Sequence, residues 1–187
     1  MKITITGPRS VGKSTISKIV AKKLNLKYYS SDEIGEKYLK KEGGLDKAIK
    51  SGAIGKMIKE SSYSLIREVY EKKDFVFDLS GGAFGSRKYS EASKKVRELA
   101  KKSSIIIGLL PSKNVKESVE MLFEREKERK HFKEMNKEEL LAKVQDDYMK
   151  FPQLFKEFCS FIIYVKDKTS EDVADEIASK IRESASR

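Results

Sequence analysis

Cys159 is the only cysteine, His131 the only histidine, and tryptophan is absent. A lone cysteine permits no internal disulfide, and with a single histidine it makes no Cys/His metal cluster. Three prolines in 187 residues leave no proline-rich linker, and no repeat or low-complexity stretch divides the chain. No apolar run approaches the roughly 20 residues of a membrane-spanning helix. Met1-Lys2-Ile3-Thr4-Ile5 has neither the length nor the regions of a signal peptide. These absences predict one cytoplasmic domain over 1–187, without a membrane partner, as a monomer or homodimer. Charge is what the chain has in abundance. Forty Lys+Arg against 29 Asp+Glu give +11. The basic residues fall in scattered pairs such as Lys22-Lys23, Lys40-Lys41 and Lys101-Lys102, often beside acids. No long basic block or aromatic-interleaved stripe forms a nucleic-acid footprint, so nucleic acid is not the expected partner. The excess reads as a lysine-rich surface, part of it serving an anionic ligand.

Short apolar runs alternate with helical periodicity. Ile3–Thr6, Lys27–Tyr29, Phe75–Phe77, Ile105–Ile107 and Phe161–Val165 read as strands. Between them, Ile16, Ile19, Val20 and Leu24 stripe one helix, and Met57, Ile58, Leu65, Ile66 and Val69 another. A polar helix covers Glu91–Lys101. Val115, Val119, Leu122 and Phe123 mark the next, and Leu140, Leu141 and Val144 a later one. The last begins at a Thr169 or Ser170 cap, with Glu171 and Asp172 in its first turn. Strands alternating with helices predict an α/β fold, a parallel five-stranded sheet covered on both faces. Ligands of such sheets bind beyond the carboxyl ends of the strands. Chemistry is therefore expected at Gly7–Thr15, Ser30–Asp32, Asp78–Gly82, Pro111 onward and Lys166–Thr169.

Gly7-Pro8-Arg9-Ser10-Val11-Gly12-Lys13-Ser14, followed by Thr15, fits G-x-x-x-x-G-K-[ST] at every fixed position. It comes after a strand and opens a helix, the context in which curled backbone N–H groups and a helix N-terminus cradle phosphates. Lys13 then reaches the β- and γ-phosphates of ATP, and the Ser14 hydroxyl ligates Mg²⁺. Asp78, directly after an apolar strand in Phe77-Asp78-Leu79-Ser80-Gly81, is the expected second metal residue, acting through water. Its alternative is a turn or helix-cap residue closing the third strand ahead of a glycine turn.

These segments, with Tyr29-Ser30-Ser31-Asp32-Glu33-Ile34 and Asp78-Leu79-Ser80-Gly81-Gly82-Ala83, resemble shikimate kinase. That family belongs to the nucleoside-monophosphate-kinase-like branch of P-loop proteins. The resemblance covers nearly the whole chain. It implies a three-layer P-loop kinase fold with strand order 2-3-1-4-5, acceptor-binding helices within 30–70, and a mobile lid at about 124–139. The family's D-x-D reads Ser30-Ser31-Asp32 here. Asp32 matches the Asp that contacts substrate hydroxyls, and Ser30 replaces the Asp linked to magnesium, which shifts metal binding toward Asp78. The family's triple glycine, whose backbone approaches the substrate, reads Ser80-Gly81-Gly82. Arg129 is similar in position to the lid Arg over the transferring phosphate, and Arg125 to the Arg flanking the adenine. The clamping arginines of the family are missing. Lys56 or Lys59 stands near the first position, with Lys59 the candidate for the acceptor site, and Lys150 near the second. None of them offers arginine's bidentate carboxylate grip.

The resulting expectation is phosphoryl transfer from ATP with Mg²⁺ to a small hydroxylated or phosphorylated acceptor. Lys13, Asp32 and Arg129 are the candidate catalytic residues. Gly7–Thr15 and Arg125 hold the nucleotide, Asp32, Lys59, Ser80, Gly81 and Gly82 the acceptor, and Ser14 and Asp78 the metal. Local alternatives stay open. Asp32 is also suited to cap a helix starting at Glu33. Arg125–Phe132 also reads as a solvated, salt-bridged helix end with His131 on its surface. Adenylate and cytidylate kinases share the layout but carry an Asp-Gly-x-Pro-Arg turn that this chain lacks. A non-transferase NTPase and a nucleic-acid-binding protein with a vestigial P-loop are the readings from other classes.

Overall fold

A computed structural model of the 187-residue chain describes residues 1–41, 62–128 and 135–185. The strands are β1 (Lys2–Thr6), β2 (Lys27–Ser30), β3 (Phe75–Leu79), β4 (Ile105–Leu110) and β5 (Phe161–Tyr164). They form one sheet in the order β2-β3-β1-β4-β5, and every neighbouring pair is parallel. Fold class and strand order are as expected.

The described helices are α1 (Lys13–Lys23), α2 (Ser31–Lys41), α3 (Ser62–Tyr70), α4 (Gly81–Gly85) and α5 (Ser90–Ser103). Then come α6 (Val115–Lys127), α7 (Lys137–Met149), α8 (Phe151–Phe158) and α9 (Ser170–Ala185). Parallel strands joined by right-handed crossovers must place their helices over the sheet. Here α1 packs on α9, and α3 on α5. The centre of the sheet is dry: all five residues of β3 and four of the five in β1 are buried. Tyr70 stands edge-on to Phe75 and Phe77, and Phe155 edge-on to Phe84 and Phe151. Each such ring pair adds about 0.5–1.5 kcal/mol beyond its burial.

Two local expectations are revised. The third strand does not end in a glycine turn: β3 runs through Asp78 to Leu79, and Ser80 caps the short helix α4, its hydroxyl accepting from the Ala83 N–H at 3.2 Å. A serine in this place satisfies a helix N–H that a turn would leave to water. Helix α8 has no counterpart among the predicted elements, because Pro152 interrupts the periodicity; it sits in the first turn, where its missing N–H costs nothing. The expected lid range 124–139 includes the last turn of α6 and the first of α7, which Asn136 caps by accepting from Glu139 at 2.8 Å. The predicted helix positions Met57 and Ile58 lie outside the described residues, whereas Leu65, Ile66 and Val69 are in α3.

Candidate active site

The parallel register brings three strand ends to one edge. Thr6 of β1 lies beside Leu79 of β3, and Ser30 of β2 beside Asp78. Gly7–Gly12 therefore curls next to Asp78–Gly82 and Ser30–Asp32, the three segments singled out by the sequence.

The loop turns into α1 at Gly12, whose φ of 102° lies in the left-handed region. A side chain there would be strained, and glycine removes that cost. Its carbonyl accepts the first helical bond from Ile16, at 3.1 Å. The Lys13 ammonium arches back over the loop and donates to the Pro8 carbonyl at 3.0 Å. Arg125 reaches the loop from α6, donating to the carbonyls of Ser10 at 3.1 Å and Val11 at 3.4 Å. The Ser10 hydroxyl donates in turn to Glu126.

Ser14 and Asp78 meet directly. The Ser14 hydroxyl donates to Oδ2 of Asp78 at 2.6 Å, and the Tyr28 hydroxyl donates to the same oxygen at 3.2 Å. Asp78 is only 3% exposed, so these donors are what keep its carboxylate solvated by protein. Burial first, and the Asp78 charge second, push the Tyr28 phenol well above its ordinary value, so it remains a donor. Asp78 is a strand residue held by a serine of α1, and the turn alternative does not describe it.

Asp32 is in the first turn of α2, which starts at Ser31. The helix N–H of Glu33 bonds to the Ser30 hydroxyl at 3.4 Å, so Ser30 occupies the capping place and Asp32 does not. The Asp32 side chain is exposed to solvent at the start of α2. Partial desolvation raises its pKa, Asp78 raises it further, and Lys13 and Arg9 oppose the rise. Asp32 thus feels both the phosphate-loop cations and the Asp78 carboxylate.

Ser31 ties the segments after β2 and β3 together: its hydroxyl accepts the Ser80 N–H at 2.8 Å. The two glycines after Ser80 differ. A Cβ on Gly81 would come within 2.5 Å of the Gly7 carbonyl oxygen and 2.9 Å of the Phe151 ring. A Cβ on Gly82 would meet nothing within 4 Å. Gly81 lets the start of α4 and the phosphate loop touch; Gly82 faces open space. Lys150 lies beyond α4, its stem against Gly85 and its ammonium 3.1 Å from Asp147. Arg129, Lys59 and Lys56 lie outside the described residues.

Sequence reasoning missed Tyr28, Ser31 and Glu126. No sequence signal marks Ser31. Glu126 did leave one: with Val119, Leu122 and Phe123 it completes the buried stripe of α6, and it is 3% exposed. A carboxylate on an apolar stripe needs a polar partner, and the loop supplies it.

Comparison with known proteins agrees with this fold. A family model described as shikimate kinase matches residues 9–182. A shikimate kinase from Acinetobacter baumannii, solved in complex with shikimate, is similar at 24% identity and a TM-score of 0.72, over 98% of this chain and 93% of that one. The shikimate kinase of Aquifex aeolicus is similar at 20% identity and a TM-score of 0.73, over 99% and 98%. A dephospho-CoA kinase from Campylobacter jejuni is similar at 15% and 0.62, over 99% and 100%. At such identities these structures share the fold. No curated protein matches by sequence. Among the described residues, no helix is long and apolar enough to cross a membrane.

Proposed function

The chain belongs to the shikimate kinase family and transfers a phosphoryl group from ATP to a small metabolite; from that premise we propose that the acceptor is a polyhydroxylated acid of the shikimate type, held between Asp32 and the Ser80–Gly82 backbone. The observation that carries this reading is Asp32: released from capping by Ser30, it stands where Lys13, Arg9 and Asp78 all act on its charge.

In the proposed mechanism, the N–H groups of Gly7–Thr15 bind the phosphates and Lys13 neutralises charge developing on the transferred group. Arg125 borders the nucleotide. Asp32 orients the acceptor hydroxyl and takes its proton at the carboxylate; its raised pKa makes it a better base than an ordinary aspartate. Arg129 is the further cation proposed for the transferring phosphate, and Lys59 and Lys150 are proposed in place of the family's clamping arginines for an acceptor carboxylate. Mg²⁺ fits the donor set. Ser14 and Asp78 are two hard oxygen donors 2.6 Å apart, one a buried carboxylate, and Mg²⁺ takes one or two such ligands plus phosphate oxygens. When bound there it offsets charge on the β- and γ-phosphates.

The test is ATP consumption against shikimate, other hydroxylated acids, sugars and nucleoside monophosphates, with a no-acceptor control. Turnover with hydroxylated acids is expected. Turnover confined to nucleoside monophosphates, or equal turnover without acceptor, would overturn the acceptor assignment.

A further inference from the structure

Ser10 is a non-glycine residue in the left-handed region, at φ 61°, two positions before Gly12. A serine keeps such a backbone only where its surroundings determine it. What surrounds it is the last turn of α6. The Ser10 hydroxyl donates to Oε1 of Glu126, and Arg125 donates to the Ser10 and Val11 carbonyls. The Arg9 guanidinium Nε stands 4.0 Å from the second Glu126 oxygen. Hydroxyl and carbonyl of one strained residue are thus both gripped by adjacent residues of one helix.

The charge of Glu126 makes the arrangement informative. A carboxylate 3% exposed and in contact with an anion-binding loop repels the phosphates that the loop must receive. Packing does not require it, since an apolar residue would continue the stripe of Val119, Leu122 and Phe123. A geometric role does require an acceptor at this point. We propose that Glu126 is a positioning residue for ATP: it clamps Ser10 in the left-handed conformation and, with Arg125, pre-forms the phosphate cradle. The inference rests on reading Gly7–Thr15 as the ATP site. It also gives Arg125 a second task, bracing the loop backbone from beneath its proposed place beside the nucleotide.

The experiment is calorimetric titration of ATP without acceptor, alongside the melting temperature of each variant. Glu126→Ala is expected to weaken ATP binding roughly tenfold, or about 1.4 kcal/mol. Adding Ser10→Gly should restore most of that loss, because glycine adopts positive φ without support. A purely structural Glu126 would lower the melting temperature and leave ATP affinity alone, and that result overturns the proposal. So would a gain in affinity from removing the negative charge, or a double variant as weak as Glu126→Ala. Should Glu126→Ala not fold, Ser10→Ala and Ser10→Gly decide the matter. Both delete the hydroxyl, but only alanine must hold the left-handed backbone unaided, so alanine should bind ATP about tenfold more weakly than glycine; equal affinities overturn the clamp. Lys13→Ala separates the two levels. Unchanged ATP affinity there rejects the ATP site itself, while loss there with normal Glu126→Ala binding rejects only the clamp.

Discussion

The centre of the sheet and its β2 edge are built differently. β1 and β3 are buried nearly throughout, whereas β2 reads exposed, half-buried, half-buried, buried along its four residues. Parallel strands enclosed on both faces have little freedom of register, so the segments at their carboxyl ends are held firmly. The phosphate loop after β1 and Asp78 near the end of β3 are of this kind, joined by the Ser14 bond and by the close approach of Gly81 to Gly7. The segment after β2 is fixed at Ser30 and Ser31, and then opens to solvent at Asp32. The centre suits a task common to every ATP-using kinase, and the edge suits one that differs with the acceptor.

The sharpest way to break this comparison is at the centre. Lys13→Ala should reduce kcat by about 10³-fold or more, since a charge-stabilising group in phosphoryl transfer is worth that much. Circular dichroism and melting temperature should stay near wild type. A variant that turns over normally would remove the catalytic centre as described.

The edge should respond differently. Asp32→Asn should lower kcat roughly 10²-fold, the scale of a lost general base, while ATP affinity without acceptor is retained. The pH profile gives an independent sign. The carboxyl is raised above the ordinary 3.8, so wild-type kcat/KM should fall as pH drops through that elevated value and be lost below it. The acid limb should vanish from what activity Asp32→Asn retains. An unaltered limb assigns the base elsewhere.

Much of the centre was legible because its signals are local. Gly12, Lys13 and Ser14 lie within one consecutive motif, and the apolar runs name their own strands. The 2-3-1-4-5 order came only through family resemblance, since pairing of β2 with β3 joins residues separated by an entire set of helices. The capping of α2 was ambiguous because Ser30, Ser31 and Asp32 are all capping residues, and only the Glu33 bond to Ser30 distinguishes them. Tyr28 was invisible as a site residue: within a strand, an aromatic ring is ordinarily packing, and its hydroxyl becomes informative only beside Asp78. The glycines after Ser80 read as one substrate-facing set in the sequence, and the contacts of Gly81 with Gly7 and Phe151 divide them.

A smaller effect probes the join between centre and edge. Asp78→Asn keeps an oxygen for the Ser14 and Tyr28 hydroxyls but loses the charge, so the fold should survive. The Mg²⁺ concentration for half-maximal activity should rise about tenfold, the lower end for a partner acting through bound water. Mn²⁺ affinity of the enzyme–ATP complex, read by electron paramagnetic resonance, should weaken in step. Tyr28→Phe should move both in the same direction by less. Unchanged metal dependence with a lowered melting temperature would make Asp78 a structural strand residue.

The smallest expected effect on substrate kinetics comes from the glycine pair, where the two regions meet within one turn of α4. Gly81→Ala places a methyl 2.5 Å from the Gly7 carbonyl oxygen and 2.9 Å from Phe151. Backbone cannot yield as a flexible side chain does, so the variant should lose about 1–3 kcal/mol of stability, with the phosphate loop displaced. Gly82→Ala meets nothing within 4 Å and gains helix propensity, which favours alanine by up to about 1 kcal/mol. Its melting temperature should be equal or higher. If the acceptor approaches the Gly82 main chain, the new methyl occupies that approach, and KM for the acceptor should rise a few-fold with KM for ATP unmoved. The two measurements together discriminate between roles that a kcat value alone would merge. Gly81 is a packing glycine if its variant fails in stability and ATP binding alike. Gly82 is an acceptor-site glycine only if its variant is stable, binds ATP normally and is impaired toward the acceptor; a fully active Gly82→Ala would move the acceptor away from this turn and leave Asp32 to hold it from the β2 side.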